Sequence, residues 1–208
     1  TLLYEARNEA IKKASGQFIA FLDTDDLWEK DKLELQIPLF NNLNVGVVYG
    51  NHFIINGKLN KKTVFLRGKK PRGLILDNLL KNYCASLVTL VIRKNFLDNY
   101  QPTFDNSFHI MGDFDLMIRM SEKYEFDCVD KPIASYRSHG KNESLLRKAD
   151  QIDELKTWTK KMRKYPNIFN NKNFSNINNI IDSLEVTNLI LKGDLKAARL
   201  RIRKMPNS

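Results

Sequence analysis

The amino-acid sequence predicts an α/β fold followed by a helical C-terminal region. Residues 5–14 are mostly helix-forming and end at Ser15-Gly16, a typical stop for a helix. The apolar run Phe18–Leu22 follows at once and predicts a buried strand over residues 17–22. Short apolar segments alternate with helical patterns up to about residue 145, and from there the sequence is helical and basic.

The remaining elements follow from local patterns. Apolar, often β-branched runs bounded by turn residues predict strands at 17–22, 45–49, 53–55, 86–92, 126–129 and 133–136. Helical composition and spacing predict helices at 29–43, with an interruption at Pro38, and at 73–81 and 114–124. The basic segment 58–72 is predicted to be a loop. We expect a division near residue 147, between an α/β domain of residues 1–147 and a basic helical extension of residues 148–208.

The composition indicates a globular protein with anionic partners. The chain has 208 residues, 42% of them hydrophobic and 28% charged, and none of its apolar runs approaches the ~20 residues that span a bilayer. A net charge of +10 favours nucleic acid, phosphorylated small molecules or an acidic lipid surface. Cys84 and Cys128 lie in apolar segments without metal-ligand spacing, which predicts reduced core thiols and a reducing compartment.

Three carboxylates directly follow the first predicted strand. The apolar run Phe18–Leu22 is followed by Asp23, Asp25 and Asp26. Like charges this close repel unless they are neutralised, and a divalent cation with oxygen ligands is the usual neutraliser. Ligands in open α/β sheets bind beyond the carboxyl ends of strands. The alternative is a surface turn in which Asp26 caps a helix that begins near Glu29.

Three other segments carry candidate groups. Arg7, in an Ala-Arg-Asn helix, can meet a phosphate bidentately or can be a solvated helix residue. Asp113 and Asp115 begin a predicted helix, where one carboxylate can serve the helix and the other can face a cleft as a general base; we expect Asp115 to be the structural one. His139 follows a strand in Tyr-Arg-Ser-His and is either a metal or phosphate ligand or a structural residue.

These segments together resemble the family 2 glycosyltransferases of the GT-A fold. The resemblance rests on the order Ala-Arg-Asn, Phe-Leu-Asp-Thr-Asp-Asp-Leu-Trp, Gly-Asp-Phe-Asp-Leu and Tyr-Arg-Ser-His, and it covers residues 4 to about 145. It implies a Rossmann-like mixed sheet that binds a nucleotide-sugar. It also implies transfer of the sugar, with inversion, to the hydroxyl of a sugar or lipid-linked acceptor in polysaccharide or glycolipid synthesis.

The resemblance also assigns roles to donor-site residues. Asp23 and Asp25 match the pair that holds Mn²⁺ or Mg²⁺ on the donor diphosphate, with Asp26 beside them. Arg7 matches an arginine near the nucleotide, and His139 matches a histidine near the metal or diphosphate. Since metal and nucleotide meet there, these residues form the expected cofactor site.

Two features depart from the family pattern. Asp113 matches the catalytic base, but the glutamate that precedes it in the family is replaced by Gly112. The family also has a first strand, a base-reading aspartate and an acidic-Gly-Ser turn before the Ala-Arg-Asn helix. We therefore expect these parts of the nucleotide pocket to precede Thr1, and residues 1–147 to be a partial GT-A domain.

The basic regions leave other functions open. A nucleic-acid-binding or scaffold protein and an inactive glycosyltransferase homologue are the alternatives, although no nucleic-acid-binding motif is present. The tail interleaves basic with apolar residues: Arg199, Arg201, Arg203 and Lys204, with Leu195, Ala198, Leu200 and Ile202. It predicts either a packing helix or peripheral contact with anionic lipid, which would place a cytoplasmic protein at the inner face of the membrane.

Overall fold

A mixed β-sheet forms the centre of the protein in the computed structural model, which describes residues 3–56, 61–140 and 142–205. Its strands are β1 (Phe18–Ala20), β2 (Leu27–Trp28), β3 (Val45–Asn56), β4 (Lys61–Val64), β5 (Val91–Arg93) and β6 (Glu125–Ser138). They lie in the order β1-β5-β3-β6-β2, and β4 pairs with the outer half of β3.

The two long strands β3 and β6 run parallel through the middle of the sheet. The first eight residues of β3 are buried, as is expected of a strand covered on both faces. β4 and β5 pair with β3 in the antiparallel sense, and β1 and β2 pair antiparallel with β5 and β6. The mixed sheet flanked by helices is therefore confirmed.

Helices cover the sheet and make up the C-terminal region. They are α1 (Leu3–Lys13), α2 (Lys32–Gln36), α3 (Leu76–Lys81), α4 (Lys94–Leu97), α5 (Gly112–Ser121), α6 (Glu143–Leu146), α7 (Lys148–Lys161), α8 (Pro166–Phe169), α9 (Asn176–Leu191) and α10 (Leu195–Lys204). Short 3₁₀ turns occupy 37–41, 87–89 and 162–164.

The division at residue 147 stays a prediction. The helices beyond it pack directly on the α/β part, chiefly through Trp158, which is fully buried.

β6 was predicted as two strands, and this was wrong. The Lys131-Pro132 step was interpreted as a break, whereas the strand continues through it. Val129 pairs with Gly50 and Pro132 pairs with Asn51, so that two extra residues bulge out between them. Because proline has no N–H to donate, strands tolerate it at such a bulge.

Two other strand predictions also differ from the structure. The separate strand at 53–55 is the outer part of the continuous β3. The apolar run 86–92 is largely a 3₁₀ turn, and only its end enters β5. Both Val88 and Leu90 are buried, and apolarity alone does not distinguish a buried turn from a strand.

The basic segment is partly ordered by the fold. Residues 58–60 lie outside the described residues, and β4 follows them. Further along, the guanidinium of Arg72 donates to Asp127 and Asp130 of β6 at 3.0 Å each. This part of the positive charge is therefore used within the protein.

The core has the reduced thiols that the sequence predicted. Cys84 and Cys128 are free and buried, and burial raises the pKa of the Cys128 thiol to about 12. Among the helices that the structure describes, none is long and apolar enough to cross a membrane.

Candidate active site

The segment that carries Asp23, Asp25 and Asp26, the aspartate segment, is hydrogen-bonded to the end of β6. Directly before β2, the carboxylate of Asp26 accepts the backbone N–H of Arg137 at 2.9 Å. The Arg137 guanidinium in turn donates to the carbonyl of Asp25 at 3.0 Å. Burial, followed by the charges of Asp25 and Asp23, raises the pKa of Asp26 to about 6, and the Arg137 N–H opposes this shift.

The interpretation of Asp26 as a helix cap is wrong. The next helix, α2, begins only at Lys32, and its N-cap is Asp31, whose side chain makes no capping bond. β2 intervenes, and the Asp26 carboxylate is turned towards β6 instead. Its place in the structure indicates that Asp26 fixes the backbone of the aspartate segment.

His139 lies beside Asp25, although 113 residues separate them in the chain. Its Nε2 is 2.9 Å from Oδ2 of Asp25, and both side chains are partly exposed, His139 to 36% and Asp25 to 40%. A tight turn after β6 sets this position, since the His139 N–H donates to Asn142, whose amide donates to the carbonyl of Arg137. Asn142 is buried, and sequence reasoning missed it.

This pair is compatible with a divalent cation. The two side chains are in direct hydrogen-bond contact at 2.9 Å, and both an imidazole nitrogen and a carboxylate oxygen can serve as ligands of Mn²⁺ or Mg²⁺ if a cation replaces that contact. Within the described residues there is no group of three or more His, Cys, Asp or Glu side chains that could hold a metal. Any cation there would depend on water or substrate oxygens for its other ligands.

Arg7 forms an ion pair with Asp23. Its Nη2 is 2.6 Å from Oδ1 of Asp23, and the arginine side chain is only 11% exposed. The guanidinium also lies over the ring of Tyr4, at 5.4 Å from the ring centre. The structure thus brings together α1 and the aspartate segment, two features that the sequence singled out separately.

Asp113 lies at the first turn of α5 and is half-buried. Burial raises the pKa of its carboxyl, while the N–H of Phe114 and the charge of Arg7 oppose this shift. The hydroxyl of Tyr4 is 3.3 Å from Oδ1 of Asp113. Arg7 therefore acts on both acidic segments. It forms an ion pair with Asp23, and its charge opposes the rise in the pKa of Asp113.

Gly112 makes the close approach of α1 to α5 possible. A Cβ at this position would lie 2.6 Å from the ring of Tyr4, so the tyrosine ring occupies the space of a side chain there. The Tyr4 hydroxyl donates to the carbonyl of Ile110 at 2.8 Å. Sequence reasoning missed Tyr4, because nothing in its local pattern indicates a partner more than 100 residues away.

Asp115 has the structural position that the sequence predicted. Its carboxylate accepts from Arg119 at 2.7 and 2.9 Å and from the Trp158 indole at 3.1 Å. Both partners of the ion pair are buried. This aspartate joins α5 to α7.

Family comparison agrees with this geometry. The profile of the family described as Glycosyl transferase family 2 matches residues 2–124, which is more than half of the chain. The protein belongs to glycosyl transferase family 2.

Several curated relatives are glycosyltransferases of polysaccharide synthesis. The chain is 38% identical over 99 residues to the UDP-Glc:alpha-D-GlcNAc-diphosphoundecaprenol beta-1,3-glucosyltransferase WfgD of Escherichia coli, covering 48% of this chain and 38% of the relative. It is 28% identical over 164 residues to the amylovoran biosynthesis glycosyltransferase AmsB of Erwinia amylovora, covering 73% and 54%. The chain thus spans about a third to a half of the length of these relatives.

A solved structure shows the same fold. The crystal structure of residues 1–349 of TarS from S. aureus, in complex with UDP, superposes with a TM-score of 0.56 at 16% identity. The match covers 89% of this chain and 51% of TarS 1–349. The likeness confirms the GT-A type of fold that the sequence predicted.

Proposed function

We propose that this chain takes part in metal-dependent transfer of a sugar, with inversion, from a nucleotide-sugar donor to a hydroxyl of a lipid-linked saccharide. The observation that carries the proposal is the pair of Asp25 and His139 at 2.9 Å, at the carboxyl end of β6. Asp23 lies on the same segment as Asp25, and Arg7 of α1 forms an ion pair with it. The names of WfgD and of the TarS complex support a uridine nucleotide as the donor.

In this proposal Asp25 and His139 hold Mg²⁺ or Mn²⁺, and Asp23 lies nearby. A bound cation would offset the negative charge that develops on the departing nucleoside diphosphate. Arg7 is placed to exchange Asp23 for a phosphate oxygen, because a guanidinium pairs equally well with carboxylate and phosphate. Asp26 keeps the aspartate segment on β6.

Asp113 acts as the general base. The acceptor oxygen attacks the anomeric carbon opposite the leaving diphosphate, the bond to the diphosphate oxygen breaks, and Asp113 takes the acceptor proton. Its raised pKa, caused by burial, suits a carboxylate that removes a proton near neutral pH.

The tail supports contact with an anionic membrane, where a lipid-linked acceptor would lie. Leu195, Leu200 and Ile202 of α10 are each more than half exposed. Arg201 is bound to Asp182 and Glu185 of α9 and faces inwards. The lipid-facing charges in this proposal are therefore the exposed Arg199, Arg203 and Lys204.

The metal site is tested by calorimetry with UDP in the presence and absence of Mn²⁺. We expect Mn²⁺ to strengthen UDP binding to the wild-type chain, and Asp25→Ala to remove that gain. Asp31→Ala is a control, since Asp31 is a nearby aspartate in the chain, beyond β2, and pairs with Lys131 at the surface. Equal Mn²⁺-dependent binding by wild type and Asp25→Ala would overturn the metal assignment.

A further test distinguishes an active enzyme from an inactive homologue. Hydrolysis of UDP-glucose in Mn²⁺ is a slow reaction that needs no acceptor. Its presence in the wild type, and its loss in Asp25→Ala but not in Asp31→Ala, would support an active transferase. Tight UDP binding without any turnover of UDP-sugars would indicate an inactive family member.

A further inference from the structure

The first turn of α5 has no cap of its own. Its N-cap residue is Met111, whose side chain makes no capping hydrogen bond. The N–H groups at the start of a helix have no partner inside the helix, so other groups must supply acceptors. This turn carries Asp113, and its stability therefore affects the position of that carboxylate.

Glu154 of α7 holds the backbone directly before this turn, up to the N-cap residue Met111. Its Oε1 accepts the N–H of His109 at 2.7 Å, and its Oε2 accepts the N–H groups of Ile110 and Met111 at 2.9 Å each. A carboxylate that accepts several backbone N–H groups makes charge-assisted bonds, which are about twice as strong as neutral ones. A negative charge there also suits the positive end of the α5 dipole.

The contacts of Glu154 belong to a longer interface between α7 and the segment 105–115. Lys161, at the end of α7, donates to Asp105 at 2.5 Å and to the hydroxyl of Ser107 at 2.6 Å. Trp158 donates to Asp115, one turn into α5. The carboxylate of Glu154 lies between these contacts and is the one that reaches the backbone just before Asp113.

The backbone around Ile110 is also held from the other side. The Tyr4 hydroxyl of α1 donates to the Ile110 carbonyl, and the Asp113 N–H lies 3.3 Å from the same hydroxyl oxygen. The segment is thus fixed between α1 and α7. The ring of Tyr4 packs against Gly112 and would still hold the start of α5 on the α1 side if Glu154 were removed. Removal of Glu154 would therefore abolish only the hydrogen bonds on the α7 side.

We propose that Glu154 is a positioning residue for sugar transfer: it anchors the backbone of residues 109–111, which leads into α5, from α7 and thereby fixes the position of the Asp113 carboxylate. This inference rests on the proposed role of Asp113 as the base. It adds to that role a requirement for a helix beyond residue 147, outside the segment that the family profile matches.

The test compares Glu154→Ala and Glu154→Gln with Asp153→Ala. Asp153 is the exposed neighbour of Glu154 on α7. With UDP-glucose and Mn²⁺, we expect Glu154→Ala to lower kcat by about 10- to 100-fold with KM for UDP-glucose unchanged, because a small misplacement of a reacting group can slow turnover about 100-fold. Glu154→Gln keeps an acceptor oxygen, so its kcat should fall less than that of Glu154→Ala. Asp153→Ala should have the kcat of the wild type.

A second readout does not depend on turnover. Carboxyl ¹³C NMR titration gives the pKa of Asp113, assigned by comparison with Asp113→Asn. The groups that face this carboxyl are Tyr4 and Arg7 of α1, Tyr83, and the N–H of Phe114. None of them changes in Glu154→Ala, so a fraying first turn should move the raised pKa of Asp113 back towards its ordinary value.

The outcomes separate this inference from the proposed function. Folded Glu154→Ala and Glu154→Gln with the wild-type Asp113 pKa would overturn the positioning role, as would a wild-type kcat. A wild-type turnover in Asp113→Asn would instead overturn the base. If Glu154→Ala does not fold, the pKa of Asp113 in Glu154→Gln decides the matter.

Discussion

The buried ion pair of Asp115 and Arg119 yields a specific stability prediction. The side chains are 3% and 7% exposed, and they meet at 2.7 Å. Replacement of Asp115 by Asn keeps the shape of the side chain but leaves the arginine charge in the interior. Loss of one partner of a buried pair generally costs about 3–5 kcal/mol, since the other charge stays desolvated.

The neighbouring contacts set the expected value within that range. Arg119 keeps its bond to the Thr103 carbonyl at 2.9 Å and its position over the Tyr100 ring. The Trp158 indole can still donate to the Asn carbonyl. We therefore expect Asp115→Asn to lower the free energy of unfolding by about 3 kcal/mol, and Asp115→Ala, which also loses the Trp158 bond, by about 4 kcal/mol.

Urea unfolding followed by far-UV circular dichroism measures this loss. With a slope of about 2 kcal/mol per molar urea, the midpoint for Asp115→Asn should fall by about 1.5 M. Glu9→Gln is a control, because Glu9 and Lys12 form an exposed ion pair, and such pairs contribute little to stability. A midpoint for Asp115→Asn within about 0.3 M of wild type would refute the argument.

Three further predictions concern other parts of the molecule. Asp113→Asn should retain UDP binding in calorimetry but reduce turnover of UDP-glucose by about 10²- to 10⁴-fold. If folded Asp115→Asn loses more turnover than Asp113→Asn, Asp115 is the base and Asp113 the structural residue. Burial lowers the pKa of His52 from 6.5 to about 4. Because the unfolded state therefore takes up a proton first as the pH falls, the free energy of unfolding should fall by about 3 kcal/mol between pH 6.5 and 4. His52→Phe should flatten this part of the profile of urea midpoint against pH. Liposomes with anionic lipid should retain the chain at low salt and release it at high salt. The double variant Arg199→Glu, Arg203→Glu should not be retained. Equal retention by neutral liposomes would leave α10 only a packing role.

Local sequence patterns were sufficient for the parts of the fold with strong apolar periodicity. The run at Val45 became the buried part of β3. The run at Phe18 became a short edge strand, Phe18–Ala20, in which only Ile19 is buried, so the predicted buried strand 17–22 was wrong in its extent and burial. The predicted break at Pro132 was wrong because a bulge accommodates a missing N–H, and no local pattern reveals whether the flanking residues keep pairing.

The candidate site was predictable as a set of residue types but not as a set of contacts. Asp25 and His139 each stood out by their position after a strand, and their meeting depends on how β6 returns to the aspartate segment. Glu154 could not be found from the sequence. It lies in an unexceptional helical stretch, and its partners are backbone groups more than 40 residues away.

The contact between Glu154 and the segment before α5 also bears on how this chain can be recombined with its relatives. The family match ends at residue 124, which makes that point an attractive junction for a hybrid. A hybrid joined there would take Asp113 from one parent and α7 from the other. Unless the second parent places a carboxylate on the same backbone groups, the hybrid loses the hydrogen bonds by which Glu154 holds residues 109–111. Junctions that keep residues 105–161 from one parent preserve it.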